Sequence, residues 1–317
     1  MRLTRERLLL LVLLAATAAV WYAAWGAAAS GLLITVLDVG QGDCLLVQAP
    51  SGRTMLVDGG GLAGQSGSGY DVGREVVVPA LLARRVRHID VLVITHPHDD
   101  HVGGLLEVVR AVPVRLVLDP ELESSSEIYQ ALRDELRKRK IPVRKATEGQ
   151  QINLAPGVRA EVLNPPQPRL AGTGSDVNEN SVVLRLTYGS LSALLTGDIE
   201  RRGALRVARL GPAVRSTVLK VPHHGSRGAA VPEFLDAVRP ALAVISVGEN
   251  NQFDHPSPEM LRELRRVGAK VMRTDQEGAV TIKLRPPRWW AWGRGRRPDR
   301  GQTLTGAVAH PGTEEGR

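Results

Sequence analysis

The sequence predicts an α/β protein built as a sandwich of sheets and helices, preceded by one membrane segment at the amino terminus. Three observations favour this class. Hairpin patterns occur in both halves of the chain, helical patterns alternate with the strands, and a histidine cluster follows a buried strand. A purely parallel, doubly wound sheet would lack the hairpins.

Composition is that of a globular protein, with 43% hydrophobic and 23% charged residues among 317. The single cysteine, Cys44, excludes an internal disulfide, and its apolar neighbours predict a buried structural thiol. The net charge of +8 attracts polyanions and anionic membranes. Much of that charge lies at the two ends of the chain, so it indicates little about the fold between them.

Residues 1–30 are interpreted as a membrane anchor or a signal peptide. The stretch 8–29 carries no charge, and at about 1.5 Å per residue a helix over it would cross the roughly 30 Å hydrocarbon layer. Arginines precede it, which favours a cytoplasmic amino terminus and an extracytoplasmic body, anchored to the cell membrane or secreted. The small residues 27–29 before Ser30 fit cleavage, whereas Trp21 and Trp25 near the far interface fit an uncleaved anchor.

The predicted folded domain covers residues 31–284, and its elements follow from hydrophobic periodicity and turn residues. Strands are predicted at 32–37, 44–48, 54–57, 89–95, 115–118, 143–145, 151–154, 158–163, 181–188, 191–196, 216–221, 241–246, 270–273 and 279–284. Helices are predicted at 74–85, 102–111, 126–140, 199–209, 232–237 and 258–267. The tail 285–317, rich in Pro, Gly and Arg, is predicted to lack fixed structure.

A cluster of four potential metal ligands directly follows the buried strand at 89–95. These ligands are His96, His98, Asp100 and His101. In a turn that enters a helix, neighbouring side chains fan out, so His96 and His98 can face one cation while Asp100 and His101 face another. Imidazole and carboxylate together suit zinc, manganese or iron. A polar loop that is merely rich in histidine is the alternative, and the position at a strand end argues against it.

The spacing H-x-H-x-D-H resembles the signature of the metallo-β-lactamase superfamily. The resemblance implies a four-layer αββα sandwich with a two-metal site. Asp58, after Met55-Leu-Val57, matches an aspartate that supports the ligands in that family, and Asp198, after a predicted hairpin, matches the aspartate that bridges the metals. Without the resemblance, Asp198 would be a turn residue or a helix cap.

The segment Val221-Pro-His-His-Gly225 resembles the place of a late histidine ligand in that family. The alignment implies His224 as the ligand and His223 as a catalytic or substrate-binding group, with the reverse assignment open. His255 is either a plain loop histidine or a contact to phosphate or metal.

Four further segments resemble the extracellular hydrolase domain of ComEC-type competence proteins. They are Leu37-Asp38-Val39-Gly40-Gln41-Gly42-Asp43, Asn180-Ser181-Val182-Val183-Leu184, Lys220-Val-Pro-His-His-Gly-Ser226 and His255-Pro256-Ser257. The resemblance covers residues 33–284 and implies a nuclease or phosphodiesterase that acts on DNA in connection with the competence machinery. Most superfamily members have a histidine where this chain has Asn178 and Asn180, which either cap the loop or contact a substrate oxygen.

The expected mechanism uses two divalent ions, zinc or manganese, about 3.5–4 Å apart and bridged by Asp198 and a water. The bridging hydroxide would attack phosphorus while Asp100 orients it, and Lys220, His223 and Ser226 would neutralise a phosphate oxygen. Two alternatives remain: a cell-surface esterase acting on small or phosphocholine-type esters, and a DNA-binding surface protein with a vestigial metal site. In the second, tail arginines would track phosphates while Trp289, Trp290 and Trp292 stack on unpaired bases. The sequence leaves the oligomeric state open.

Overall fold

The computed structural model describes residues 5–28, 31–61, 70–293 and 308–309. Its strands are β1 Leu32–Val36, β2 Leu45–Gln48, β3 Thr54–Val57, β4 Val91–Val93, β5 Val117–Asp119, β6 Val143–Lys145, β7 Gln151–Ala155, β8 Val158–Asn164, β9 Val183–Tyr188, β10 Leu191–Leu195, β11 Val218–Lys220, β12 Leu242–Ile245, β13 Lys270–Arg273, β14 Val280–Arg285, β15 Arg288–Gly293 and β16 Val308–Ala309. Its α-helices are α1 Arg5–Ala28, α2 Val78–Ala83, α3 Asp99–Val102, α4 Leu105–Ala111, α5 Glu127–Lys138, α6 Asp176–Glu179, α7 Arg201–Ala208, α8 Pro232–Val238, α9 Pro258–Arg266 and α10 Thr274–Glu277.

The strands form two mixed sheets. The first has the order β16-β15-β14-β1-β2-β3-β4-β5-β6, and the second has the order β13-β12-β11-β10-β9-β8-β7. In the first sheet β3 and β4 run parallel, with Met55 opposite Val91. In the second sheet β10, β11 and β12 run parallel, with Ala193 opposite Val218. Parallel neighbours bring their carboxyl ends to the same edge of a sheet, which is where the predicted ligands follow β4, β10 and β11.

The two sheets pack face to face over an apolar core. Alternate residues of each strand point into it, for example Val47 and Val57 from the first sheet and Leu184 from the second. Leu56 on the opposite face packs under α2, α4 and α5, and Leu219 packs under α7, α8 and α9. The four-layer αββα arrangement that the sequence predicted is therefore confirmed.

The predicted boundary at residue 284 is wrong, because regular structure continues beyond it. β15 pairs antiparallel with β14, with Trp289 opposite Leu284. Trp289 is only 6% exposed and joins the core between the sheets, while Trp290 and Trp292 on the other face are half-buried. Trp289 is thus unavailable for stacking on a base. The tail arginines at 294–300 lie outside the described residues.

At the amino terminus, Arg5–Ala28 forms a helix. A search of the described ranges finds no helix with both the length and the apolar character needed to cross a membrane. Ala29 and Ser30, at the predicted cleavage position, lie outside the described residues.

Candidate metal centre

The predicted ligands lie in the loops and short helices that follow the carboxyl ends of strands from both sheets. β4 leads through Thr95 to His96 and His98, and α3 begins at Asp99. Its first turn holds Asp99 and Asp100, where negative charge is favoured by the helix dipole. The first sheet therefore supplies the clustered histidines, and the second supplies the two later ligands.

Four side chains converge on one point. The ligand atoms of Asp100, His101, Asp198 and His224 all lie within 4.8 Å of one another. Oδ2 of Asp198 is 3.3 Å from Nε2 of His101 and 3.3 Å from Nε2 of His224. Oδ2 of Asp100 is 3.5 Å from Nε2 of His224. Of the two adjacent histidines, His224 is therefore the one that lies in this cluster.

His96 and His98 lie next to this cluster. Nε2 of His96 is 3.1 Å from Nδ1 of His98 and 4.0 Å from Oδ2 of Asp198. The His96 ring also lies 4.1 Å from the His101 ring, so the histidines that follow β4 are adjacent to one another beside Asp198. The division of the ligands between two ions stays a prediction.

Unpartnered buried atoms test whether a metal fits this site. Nε2 of His101, Nε2 of His224 and Oδ1 of Asp198 are buried without a hydrogen-bond partner. The other nitrogen of each histidine is engaged: Nδ1 of His101 is 2.8 Å from Asp58 and Nδ1 of His224 is 2.9 Å from the carbonyl oxygen of Ser246. When Nδ1 donates to an acceptor, the Nε2 lone pair is left free for a metal. The donor set and its orientation therefore fit a divalent transition metal.

Electrostatics at the site also favour a bound cation. Burial opposes protonation of His224, but the carboxylates of Asp198 and Asp100 outweigh it and raise its pKa to about 9. Burial would raise the pKa of Asp198, yet His101 and His224 hold it well below its usual range. Burial lowers the pKa of His96 and His98, which keeps these imidazoles neutral. The carboxylates thus attract positive charge, and neutral imidazole nitrogens stand beside them.

Metal binding is expected to release protons, because His224 is protonated below its pKa of about 9 and must be neutral to bind through Nε2. The apparent affinity of the protein for a divalent metal should therefore rise with pH and level off above about pH 9. In the metal-free protein, protonated His224 stabilises the fold fully below 6.5, and this stabilisation is lost as pH rises through about 9. Calorimetry in two buffers of different ionisation enthalpy measures the released protons. His88, a half-buried histidine outside the cluster, supplies the control His88→Gln. A metal affinity that does not change between pH 6.5 and 9 would contradict the assignment.

Asp58 supports the cluster from below and is fully buried. It accepts hydrogen bonds from the backbone N–H of Thr95 at 2.8 Å and from its hydroxyl at 2.7 Å, and it holds His101. This placement agrees with the supporting role that the resemblance implied.

Lys220 does not reach the cleft, so its predicted contact with a phosphate oxygen is wrong. The side chain is 1% exposed and its ammonium pairs with the equally buried Asp43. Nζ is also 3.9 Å from Oδ1 of Asp198. Residues alternate along β11, so Lys220 points to the same side as Val218, into the space between the sheets.

The sequence did not single out Asp43 as a site residue. Its N–H donates to the carbonyl oxygen of Asp100 at 3.3 Å, and its Oδ1 is 3.6 Å from Nδ1 of His224. Gly42 permits this approach, since a Cβ there would lie 2.1 Å from the same carbonyl oxygen. The feature of the sequence that could have indicated Asp43 is an acidic residue directly after the turn Gly40-Gln41-Gly42.

A cleft of about 550 Å³ opens over the cluster. It is lined by Pro97, His98, Asp99, Asp100, Ser124, Ser125, Ser126, Glu127, Asn178, Asp198, His223 and Phe253. Among the described residues, no lysine or arginine lines it. The lining thus offers imidazole, amide and hydroxyl groups together with the carboxylates of Asp99, Asp100, Glu127 and Asp198.

His223 lies at the cleft with Glu200 behind it. Nδ1 of His223 is 3.2 Å from Oε1 of Glu200, and Nε2 is 3.8 Å from Oδ2 of Asp198. Asn178 donates to the same Glu200 oxygen at 3.1 Å, while its own Oδ1 is buried without a partner. The sequence did not single out Glu200, whose one indication was its position two residues after Asp198.

The remaining predicted residues divide between the site and its surroundings. Asn180 donates to the carbonyl oxygens of Leu170 and Asp176, which is the loop-capping alternative. The Ser226 hydroxyl accepts from the N–H of Ala229 at 3.3 Å and is 6% exposed, so its predicted phosphate contact is not seen.

Asp38 accepts a hydrogen bond from the N–H of Gly40 at 3.4 Å. The His255 ring lies 5.9 Å from the His223 ring, and burial together with His223 lowers its pKa to about 4. His255 is therefore a neutral ring next to the cleft.

A buried imidazole–carboxylate cluster at one edge of an αββα sandwich defines a metal-dependent hydrolase domain. A family model described as the Metallo-beta-lactamase superfamily matches residues 37–249, and the chain belongs to that superfamily.

Two curated relatives carry names linked to competence. The chain is 31% identical over 267 residues to ComE operon protein 3 of Bacillus subtilis, which covers 80% of this chain and 33% of the relative. It is 31% identical over 252 residues to Competence protein ComA of Neisseria gonorrhoeae, covering 79% and 32%. The ComEC-type resemblance is thereby confirmed, and the chain spans about a third of the length of these relatives.

Among solved structures, the chain is similar to a mutant of the CmlA beta-hydroxylase of Streptomyces venezuelae. The TM-score is 0.52 at 16% identity, covering 80% of this chain and 54% of that chain. The likeness concerns the fold alone.

Proposed function

We propose that this chain is a two-metal phosphodiesterase that cleaves DNA. The observation that carries the proposal is the convergence of Asp100, His101, Asp198 and His224 on the floor of an open cleft. The names of the relatives, which refer to competence, favour DNA as the substrate.

Two ions, zinc or manganese, would be held by separate residues. His96, His98 and Asp198 would hold one ion, and Asp100, His101, Asp198 and His224 the other. Bound divalent ions supply Lewis acidity and lower the pKa of water at the site. Asn178 would be a weak ligand to the first ion at best, because an amide is a poorer ligand than imidazole, and its buried Oδ1 without a hydrogen-bond partner is the atom that would serve.

His223 would serve the leaving group. Nδ1 of His223 lies beside the Glu200 carboxylate without forming a hydrogen bond to it, and the negative charge there would favour a proton on Nδ1 and leave Nε2 facing Asp198. Nε2 can then exchange a proton with the leaving oxygen of the scissile bond. Asp100 would orient the attacking water while Asp58 holds His101 in place.

The substrate is tested by an assay of the purified chain with manganese, zinc or magnesium. Plasmid, linear duplex and single-stranded DNA are offered beside a chromogenic phosphodiester and a chromogenic carboxylic ester. The proposal expects metal-dependent cleavage of DNA and of the phosphodiester. Cleavage of the carboxylic ester alone would contradict the proposal and indicate an esterase.

An esterase acting on small or phosphocholine-type esters is the second candidate. The observation that favours it is the lack of lysine and arginine among the described residues lining the cleft, since polyanion sites usually carry such groups. A DNA-binding protein with a vestigial site is disfavoured, because the ligand set is intact.

We infer that the domain acts outside the cytoplasmic membrane, in contact with the competence machinery. The arginines before the apolar stretch 8–29 support this orientation. Protease added to intact cells is expected to digest the domain. Full protection together with recovery in the cytoplasmic fraction would contradict the inference.

A further inference from the structure

A phenylalanine is exposed at the rim of the cleft. The chain has only two phenylalanines, and Phe234 is fully buried, whereas Phe253 is 46% exposed. Burying such a side chain stabilises a fold, so leaving it half in water forgoes part of that gain. Phe253 is one of the residues that line the cleft, so its ring can contact a molecule bound there.

The loop that carries Phe253 is held in place from within. Asn251 accepts hydrogen bonds from the N–H groups of Phe253 and His255, at 3.2 and 3.0 Å. Its amide donates to the carbonyl oxygens of Gly248 and His255, at 3.1 and 2.8 Å. Four hydrogen bonds through one side chain fix the loop before any ligand binds.

The same loop is attached to the metal-binding turn. The N–H of Ser257 donates to the carbonyl oxygen of Gly225 at 2.9 Å, directly after His223 and His224. The Phe253 ring lies 5.8 Å from the His255 ring at an interplanar angle of 32°, and the His255 ring lies 5.9 Å from that of His223. The three rings form a row from the cleft rim toward the metal centre, named here the aromatic row.

We propose that Phe253 is the stacking platform for an unpaired nucleobase next to the scissile phosphate. Every base presents a flat apolar face, and exposed aromatic side chains bind such faces with little regard to sequence. The aromatic row ends at His223, which places a stacked base next to the cluster where its phosphate would be cleaved. The inference rests on the proposed function and deepens it, because it names single-stranded DNA as the preferred substrate.

The cleft composition makes an aromatic contact important for such a substrate. Among the described residues that line the cleft, no lysine or arginine is present to contact a phosphate backbone, whether of a single strand or of a duplex. A stacked ring supplies affinity without them. A base-paired nucleotide keeps its faces covered by its neighbours, so duplex DNA would gain less from Phe253.

The test compares four proteins on two probes. The proteins are the full chain, Phe253→Ala, Phe253→Trp and the control Val143→Ala, which truncates an apolar side chain 42% exposed on β6. The probes are a fluorescent single-stranded oligonucleotide and a strand of the same length made of abasic sugar phosphates. Anisotropy gives the affinity of each pair, and cleavage with manganese gives the rate.

Phe253→Ala is expected to bind the strand with bases roughly 5- to 150-fold more weakly, the range covered by loss of one base–aromatic stack. Binding of the abasic strand should not change, Phe253→Trp should restore affinity, and Val143→Ala should match the parent. An equal loss on both probes, or no loss on either, would overturn the stacking role. If the parent binds the strand through Phe253 but cleaves no DNA, the proposed function fails and the base-binding site remains.

Discussion

Asp198→Asn is expected to lower kcat/KM on a chromogenic phosphodiester by more than about 1000-fold. Loss of a residue that only supports a metal ligand typically costs 10–100-fold, and Asp198 lies in the middle of all the candidate ligands. The amide keeps the size of the carboxylate but is a poorer ligand and carries no charge. The measurement pairs steady-state rates with metal content of the purified protein.

A matched control separates this effect from misfolding. Asp134→Asn makes the same change at a side chain 69% exposed on α5, and its rate should stay within about twofold of the parent because surface substitutions are mild. Both variants should unfold cooperatively. If Asp198→Asn kept a tenth of the activity with a full metal complement, Asp198 would not be the shared ligand.

Lys220→Met is expected to destabilise the protein by about 3–5 kcal/mol, because it leaves the buried carboxylate of Asp43 unpaired near that of Asp198. For a domain of this size, roughly 2–4 °C of melting temperature accompanies each kcal/mol, so the transition should fall by about 6–20 °C. Urea unfolding of the metal-free protein gives the free energy of unfolding directly.

A second variant tests the pairing itself. Asp43→Asn combined with Lys220→Met removes both charges and should recover a large part of the lost stability. A double variant as unstable as Lys220→Met alone would mean that the loss comes from another contact of the Lys220 ammonium, such as the one with the carbonyl oxygen of Gly197 at 3.4 Å. In that case the ion pair with Asp43 would not account for the lost free energy of unfolding.

Local patterns in the sequence were sufficient to predict most helices and strands and the ligand cluster at residues 96–101. Three histidines and an aspartate within six residues of a buried strand indicate a metal whatever the rest of the chain does. Asp198 and His224 lie far from them in sequence and were assigned only through the family resemblance. The fold joins them because parallel strands in two sheets end at one edge.

Two other predictions were wrong because residues in basic parts of the sequence were taken to be exposed to solvent. Lys220 was taken as a substrate contact because it is a cation beside a histidine motif, yet strand alternation turns it inward. Trp289 was taken as part of a basic tail, although Trp289 and Ala291 alternate with more exposed residues as a strand does. Glu200 and Phe253 gave no usable pattern, because their roles depend on loops meeting in space.

The division of the ligands between the two sheets has a consequence for how the protein unfolds. His96, His98, Asp100 and His101 belong to the first sheet's edge, and Asp198 and His224 to the second's. An ion held by both sets would be a cross-link between two halves that otherwise adhere through apolar packing and through buried polar contacts such as the Lys220–Asp43 ion pair. Each tenfold excess of free metal above its dissociation constant then adds about 1.4 kcal/mol against separation of the halves. Metal supply would thus change the stability of the fold as well as the chemistry at its edge.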